Sequence, residues 1–313
     1  MRCVKSLAGI VLLCASVAAC ASMGSGVSPA SVAPAAESVS SVRPWLVLPP
    51  IPALPKPEHS GYAAVNGIKL WYAEYGHGAP IILIAGGFGS AAWWGNQIPA
   101  LAKHYRVIAV DSRGQGRSTD NPNVPITYQL MASDVVALMD RLHISRTALA
   151  GWSDGAIIGL ELAIHHPERL TKLFAFGANT DPSGYRDSGD RSPAQNAVVD
   201  QYSHLMRTGY LALSPTPRDF DAFHRKMTNL WNTRPHITAG QLQGIRVPTW
   251  IVDGDHDEII KRQNIDFQFS QIPDARELIV PGASHFAFLQ QPRITTTDML
   301  EFMAWQPAPV SSR

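Results

Sequence analysis

The sequence predicts an α/β fold, a mostly parallel sheet flanked by helices and carrying a small helical cap. Three observations predict it. Short apolar runs alternate with helix-like stretches along most of the chain, the pattern of parallel strands joined by crossover helices. A Gly-x-Ser-x-Gly pentapeptide, Gly151-Trp152-Ser153-Asp154-Gly155, sits between one such run and one such stretch. The strand pattern lapses between Asn179 and Gly244 and then resumes, which marks an insertion. With 313 residues the chain has room for one large α/β domain plus that insertion.

The N-terminal residues read as targeting and tether rather than fold. Arg2 and Lys5 precede a short apolar core from Leu7 to Val17, and Val17-Ala18-Ala19-Cys20 reads as a lipobox. Residues 1–20 thus resemble a bacterial lipoprotein signal with Cys20 as the lipidated residue and membrane anchor. Ala19-Cys20-Ala21 also fits an ordinary cleaved secretory signal. The apolar run is too short for a permanent span. All three cysteines, Cys3, Cys14 and Cys20, lie here, so a processed chain would hold no internal disulfide. Ala21, where an acid would retain the protein at the inner membrane, points to the outer membrane of a Gram-negative host by resemblance to lipoproteins. Residues 21–57 are rich in Ala, Ser, Val and Pro and are expected to form a disordered tether.

The domain is expected to occupy 58–313. Apolar runs centred on Leu70, Leu83, Ile108, Leu149, Phe174, Ile251 and Ile279 are its strand candidates. Met131, Val135, Leu138, Met139 and Leu142 recur at the helical period and mark one helix. Between about 182 and 243, two helix-like stretches near Ala194–Thr208 and Arg218–Asn232 are read as a cap. Phe220, Phe223, Met227 and Trp231 are candidates to face the pocket, but most of them are read as packing the cap on the core. A formal net charge of +1 gives no signature of nucleic acid or another polyanion as partner.

The chemistry begins at Ser153. Thr147–Ala150 reads as a buried strand and Ala156–Ala163 as a helix, so the serine falls on a strand-to-helix turn. The simpler reading is a turn capped by a serine. The chemical reading is a nucleophile elbow, with the Asp154 N–H at a helix N-terminus where it can stabilise an oxyanion. A serine nucleophile needs a base, and the base needs an orienting acid. Val247–Gly254 reads as a strand followed by Asp255-His256-Asp257-Glu258, and Glu277–Val280 as a strand followed by Pro281–Phe286. Asp257 is the preferred acid, with Asp253 and Asp255 as rivals. His285 is the preferred base, with His256 as its rival. Four acids within 253–258 could also form a solvated turn or a weak cation site, but the frame is too short for a calcium loop.

With these residues, the chain resembles the α/β-hydrolase superfamily from about Tyr62 to Trp305. Ile81–Ser90 resembles the strand and oxyanion loop of that family, and Asp111–Ser118 the glycine-rich loop after the next strand, with Arg113 bracing its backbone. Gly-Trp-Ser-Asp-Gly together with Phe176-Gly177-Ala178-Asn179 resembles its biphenyl-hydrolase-like, or valacyclovir-hydrolase-like, branch. The resemblance implies Ser153, Asp257 and His285 as a triad, and the N–H groups of Phe88 and Asp154 as the oxyanion hole. Asp154, Trp152, Gly87 and Phe286 are expected to contact substrate. Many relatives carry histidine where this chain has Gly86, so the loop is Gly86-Gly87 and its rigidity is open to question.

The implied activity is hydrolysis of a small ester-like molecule by a serine hydrolase, through an acyl-enzyme and without a metal or organic cofactor. Lactonase, aminopeptidase, C–C bond hydrolase and cofactor-free perhydrolase chemistry would use the same triad. A non-catalytic binding protein would not need all three residues.

Overall fold

The computed structural model describes residues 43–306, so the expected signal, Cys20 and most of the expected tether lie outside the described residues. The central feature is an eight-stranded sheet in the order β1-β2-β4-β3-β5-β6-β7-β8. The strands are β1 (His59–Val65), β2 (Ile68–Tyr75), β3 (Ala79–Ile84), β4 (Tyr105–Val110), β5 (Thr147–Trp152), β6 (Leu170–Phe176), β7 (Thr249–Gly254) and β8 (Arg276–Val280). β2 pairs antiparallel with β1 and β4, and every other pairing is parallel. All seven expected strands are present. The unexpected one is β1, an edge strand in which only Ala63 and Val65 are buried, so its sequence carries little of the alternation that betrays a strand.

The central parallel strands are buried on both faces, and their side chains alternate between two cores. Ile82, Ile84, Ile108, Val110 and Leu149 enter one core, whereas Ile81, Leu83, Val107, Ala109, Ala148, Ala150 and Trp152 enter the other. The helices are α1 (Ile98–Leu101), α2 (Tyr128–Arg141), α3 (Asp154–His165), α4 (Pro193–Leu213), α5 (Phe220–Thr233), α6 (Ala239–Gln243), α7 (Arg262–Gln271), α8 (Ala287–Gln290) and α9 (Pro292–Ala304). The first core takes residues of α2, α3 and α7, and the second takes residues of α1, α8 and α9. α4 and α5 are the expected cap helices, with α4 one turn longer than its apolar pattern suggested.

The tether is expected to run to Pro57, but its last residues, 43–57, lie on the body. From Arg43 onward the chain packs on the body. Trp45 stacks on His256 with centroids 3.9 Å apart, Leu48 is buried, and the Val47 and Leu48 carbonyls accept from Gln290 and Gln201. Pro44, Trp45, Leu46 and Leu48 supply the apolar surface that the stretch before them lacks.

Strand order reverses around β3, which has β4 on one side and β5 on the other. A crevice at the carboxyl ends of strands is expected at such a point. The expected oxyanion loop follows β3 and the expected elbow follows β5. Arg113 braces this region as expected. Fully buried, it pairs with Asp134 of α2 at 2.6 and 2.8 Å and donates to the Asn66 carbonyl. Removing one partner of a buried ion pair strands the other. Arg113→Ala should therefore cost about 3–5 kcal/mol, and an Arg113→Met, Asp134→Leu double variant should recover much of it. Urea denaturation of the three proteins checks this; a loss below about 1 kcal/mol in Arg113→Ala would remove the ion pair from any structural role.

Candidate active site

Ser153 lies at the end of β5 with φ +54° and ψ −120°, a backbone conformation that non-glycine residues rarely adopt. Its neighbours permit the turn. A Cβ on Gly151 would lie 2.2 Å from the Gly155 carbonyl oxygen, and one on Gly155 would lie 2.2 Å from the Ile84 carbonyl oxygen. Only glycine fits either place, because the returning helix crosses its own strand and β3 at backbone contact. The Ser153 N–H donates to the Phe176 carbonyl, which ties the elbow to β6.

Asp257 and His285 meet above β7 and β8. His285 Nδ1 is 2.6 Å from Asp257 Oδ2, and both side chains are almost completely buried. The other Asp257 oxygen accepts from the Ile259 and Ile260 N–H groups at 2.6 Å. With Nδ1 engaged, Nε2 is the ring nitrogen left to act on a neighbour. Ser153 and His285 line one cavity of about 280 Å³ beneath the cap, together with Gly87, Asp154, Tyr202 and Trp231. Larger hollows at Val65–Lys69 and beside Arg146 and Lys172 hold no serine–histidine pair.

The rival acids have other tasks. Asp255 accepts from the Gly282 and Ala283 N–H groups and so fastens the loop that carries His285. Asp253 is buried, and one of its oxygens has no hydrogen-bond partner. Burial, and then the charge of Asp257, push its carboxyl well above the usual range. Asp253 thus resists ionisation beside Asp257, whose carboxyl is shifted the other way. The rival base, His256, is half-exposed under Trp45. Among the described residues one group could bring three ligand atoms to a metal, Asp253, Asp257 and His285, with atoms within 4.8 Å of one another. The 2.6 Å approach of Asp257 to His285 within it is a hydrogen-bond separation.

Burial opposes charge on Asp257, yet facing His285 and its hydrogen bonds hold its carboxyl below the usual range. Burial likewise opposes the imidazolium, but Asp257 first, then Glu258 and Asp154, raise His285 above its ordinary value of 6.5. Glu258 accepts from the Ser284 hydroxyl and the His285 N–H, and burial followed by the charge of Asp257 pushes it up to about 7.

Of the four residues expected to contact substrate, Gly87 and Asp154 line the cavity and two do not. Trp152 and Phe286 are wholly buried below it. Trp152 shares its strand face with Ala148 and Ala150, and its indole donates to the His285 carbonyl at 2.9 Å. Phe286 packs on Trp152 and Tyr202. Both support the histidine loop from beneath. Sequence reasoning missed the residues the cap contributes, chiefly Tyr202, Met206, His224 and Trp231. Of these only Trp231 had been singled out. Phe220, Phe223 and Met227 pack in the core as expected.

Asp154, the first residue of α3, turns its buried carboxylate toward the cap. One oxygen accepts from the Tyr128 hydroxyl at 2.7 Å, and Trp231 Nε1 lies 3.1 Å from both. Burial raises its pKa, and the Tyr128 and Trp231 hydrogen bonds partly offset that.

The comparisons with known proteins agree with this fold. Residues 79–188 match the family model described as the alpha/beta hydrolase fold. The serine hydrolase BPHL of Homo sapiens is 29% identical over 266 residues, covering 79% of this chain and 88% of that protein. The enol-lactonase of Burkholderia xenovorans LB400 superposes with a TM-score of 0.63 at 24% identity, covering 78% of this chain and all of the other. A meta-cleavage product hydrolase of Pseudomonas fluorescens IP01 gives 0.62 at 22%, covering 76% and 95%. The chain has the α/β-hydrolase fold, and its family-model match and its relatives are those of the α/β-hydrolase superfamily. These relatives support a hydrolase.

The titration directions set a pH dependence. A base must be neutral to accept a proton, and a raised pKa keeps His285 protonated to higher pH. The acid limb of kcat/KM should therefore fall above pH 6.5. Glu258→Gln removes a charge that favours the imidazolium, so the limb should move to lower pH. A pH profile of both proteins checks this; a limb that stays in place or moves upward would contradict the assigned electrostatics.

Proposed function

We propose that the protein is a serine hydrolase that cleaves ester-like bonds of small molecules through an acyl-enzyme. The observation that carries this reading is the convergence on one cavity of a serine on a strained elbow and a histidine held by a buried carboxylate. In the proposed reaction His285 Nε2 takes the Ser153 proton as Oγ bonds to the substrate carbonyl carbon. Asp257 holds the imidazole in orientation and stabilises its charged form. The carbonyl oxygen takes up the electron pair and is met by the N–H groups of Phe88 and Asp154. Neither N–H has a hydrogen-bond partner among the described residues, and that of Asp154 is one of the free donors of a helix N-terminus. Collapse breaks the bond to the leaving group, which takes the proton from His285. Water then repeats the sequence on the acyl-enzyme.

A cationic substrate group is the second part of the proposal. Asp154 places a carboxylate against the same cavity, and none of the residues lining that cavity is lysine or arginine. The amine of an aminoacyl ester would supply the missing counter-charge. Tyr128 and Trp231 would hold the carboxylate toward it. Lactone, amide or C–C bond substrates would use the same serine; the selectivity rests on the cap.

We further propose that the enzyme is exported and held at a membrane by a lipid on Cys20. The support is the Val17-Ala18-Ala19-Cys20 sequence behind a short apolar core. No described helix is long and apolar enough to cross a membrane. Labelling cells with a palmitate analogue should mark the protein and fail to mark Cys20→Ser; an unlabelled wild-type protein cut after Ala21 would mean simple secretion.

Ser153→Ala and His285→Ala should each lower kcat by about 10⁴-fold or more on a neutral ester such as p-nitrophenyl acetate. Asp257→Asn should also be impaired, and more so than Asp255→Asn. Wild-type turnover by Ser153→Ala would end the proposal. Asp154→Asn keeps the side-chain size and the backbone N–H. It should depress turnover of aminoacyl esters at least about tenfold more than that of the matching acyl esters, because it leaves a desolvated ammonium unpaired. Equal losses on both series would leave Asp154 a structural role alone.

A further inference from the structure

The Gly86-Gly87 pair leaves the oxyanion loop without side chains to stiffen it, and the structure shows what does so instead. Tyr202, on cap helix α4, donates its hydroxyl to the Gly87 carbonyl at 2.5 Å. That carbonyl belongs to the same peptide unit as the Phe88 N–H. In a planar trans peptide the C=O and the N–H point in opposite directions, so fixing one aims the other. Burial raises the Tyr202 phenol far above its usual pKa, so the hydroxyl keeps its proton. Its ring is locked between Trp93, at 5.7 Å, and Phe286, at 5.0 Å between centroids.

The cap also grips the other end of that peptide unit. Phe88 has φ +57°, a conformation costly for a side-chain-bearing residue. Its ring packs against Tyr210, Phe220 and Phe223 at 5.2–6.1 Å. Between the two holds, Trp231 and Asp154 crowd Gly87: a Cβ there would lie 2.5 Å from Trp231 Cζ2 and 2.8 Å from Asp154 Oδ2. Glycine is required for this approach, and the same glycine could rotate freely once the clamp is gone.

We propose that Tyr202 is a positioning residue for the oxyanion hole: its hydroxyl, reaching from the cap to the Gly87 carbonyl, fixes the Gly87–Phe88 peptide plane and holds the Phe88 N–H toward the nucleophile. The inference rests on the reading of Ser153 as nucleophile and Phe88 as oxyanion donor. Seating of the cap and assembly of the oxyanion hole are then one event. A substrate that lifts α4 disables the donor, so the cap selects by turnover as well as by fit.

The test compares full-length wild type with Tyr202→Phe, which keeps the ring and its packing. Turnover of p-nitrophenyl acetate, inhibition by phenylboronic acid and thermal unfolding are measured on both. Phenylboronic acid would form a tetrahedral adduct on the serine whose oxygen occupies the oxyanion position. Loss of aim in one donor predicts a fall in kcat of about tenfold to a hundredfold. KM should change by no more than about twofold, since the interaction matters in the transition state alone. Boronate affinity should weaken in step with kcat/KM, with the unfolding midpoint unmoved. An unchanged kcat in Tyr202→Phe overturns the clamp while leaving the nucleophile in place, as does a rise in KM at constant kcat, the mark of a mere pocket wall. Absence of turnover and of boronate inhibition in the wild type overturns the nucleophile reading itself, and the clamp with it.

Discussion

The structure depends on one strained residue. Ser153 leaves β5 at φ +54° and ψ −120°, and nothing in its own chemistry favours that conformation. The strain is held by backbone packing: α3 returns so closely over β5 and β3 that Gly151 and Gly155 have no room for a Cβ. The central strands, buried on both faces, provide a rigid base for that contact. Strain of this kind persists where the surroundings over-determine it. What it gains is a hydroxyl raised above the sheet edge at the start of a helix, beside the loops that follow β3, β7 and β8.

A second constraint is the amount of charge buried near the serine. Asp154, Asp253, Asp257, Glu258 and His285 are all nearly inaccessible to solvent. Such a cluster is tolerable because its members take different protonation states and partners. Asp257 is charged and saturated by two N–H groups and the imidazole. Burial and the charge of Asp257 push the Asp253 carboxyl up beside it, Glu258 is pushed up to about 7, and Asp154 is bound by a phenol and an indole. Carboxylates whose environments push their pKa values apart are what acid–base chemistry in one small volume requires.

Much of this was legible in the sequence because it is local. Strands buried on both faces announce themselves as apolar runs, and the elbow, acid and histidine each sit a few residues past a strand end. The errors also have local causes. Trp152 and Phe286 adjoin the serine and the histidine in sequence and so read as substrate contacts. Yet the period-2 alternation that puts Ala148 and Ala150 in the lower core puts Trp152 there too. β1 was missed because an edge strand with two buried residues has almost no pattern. The packing of residues 43–57 was hidden by a composition that resembles the Ala-, Ser- and Pro-rich sequence before it. What no local pattern could reveal is the cap's share of the site. Tyr202 reaches Gly87 across 115 positions and Trp231 reaches Asp154 across 77. Neither position carries a local motif on α4 or α5, and only the fold of the insertion over the sheet brings them to the cavity.

The central claim is that Ser153 is a nucleophile activated by the histidine its elbow faces. The most direct measurement is intact-mass analysis of the protein after exposure to a fluorophosphonate, followed by peptide mapping. The account predicts one adduct per chain, carried by the peptide containing Ser153, formed by the wild type and absent from Ser153→Ala and His285→Ala. An unmodified wild-type protein, or an adduct on another residue that persists in Ser153→Ala, would contradict it.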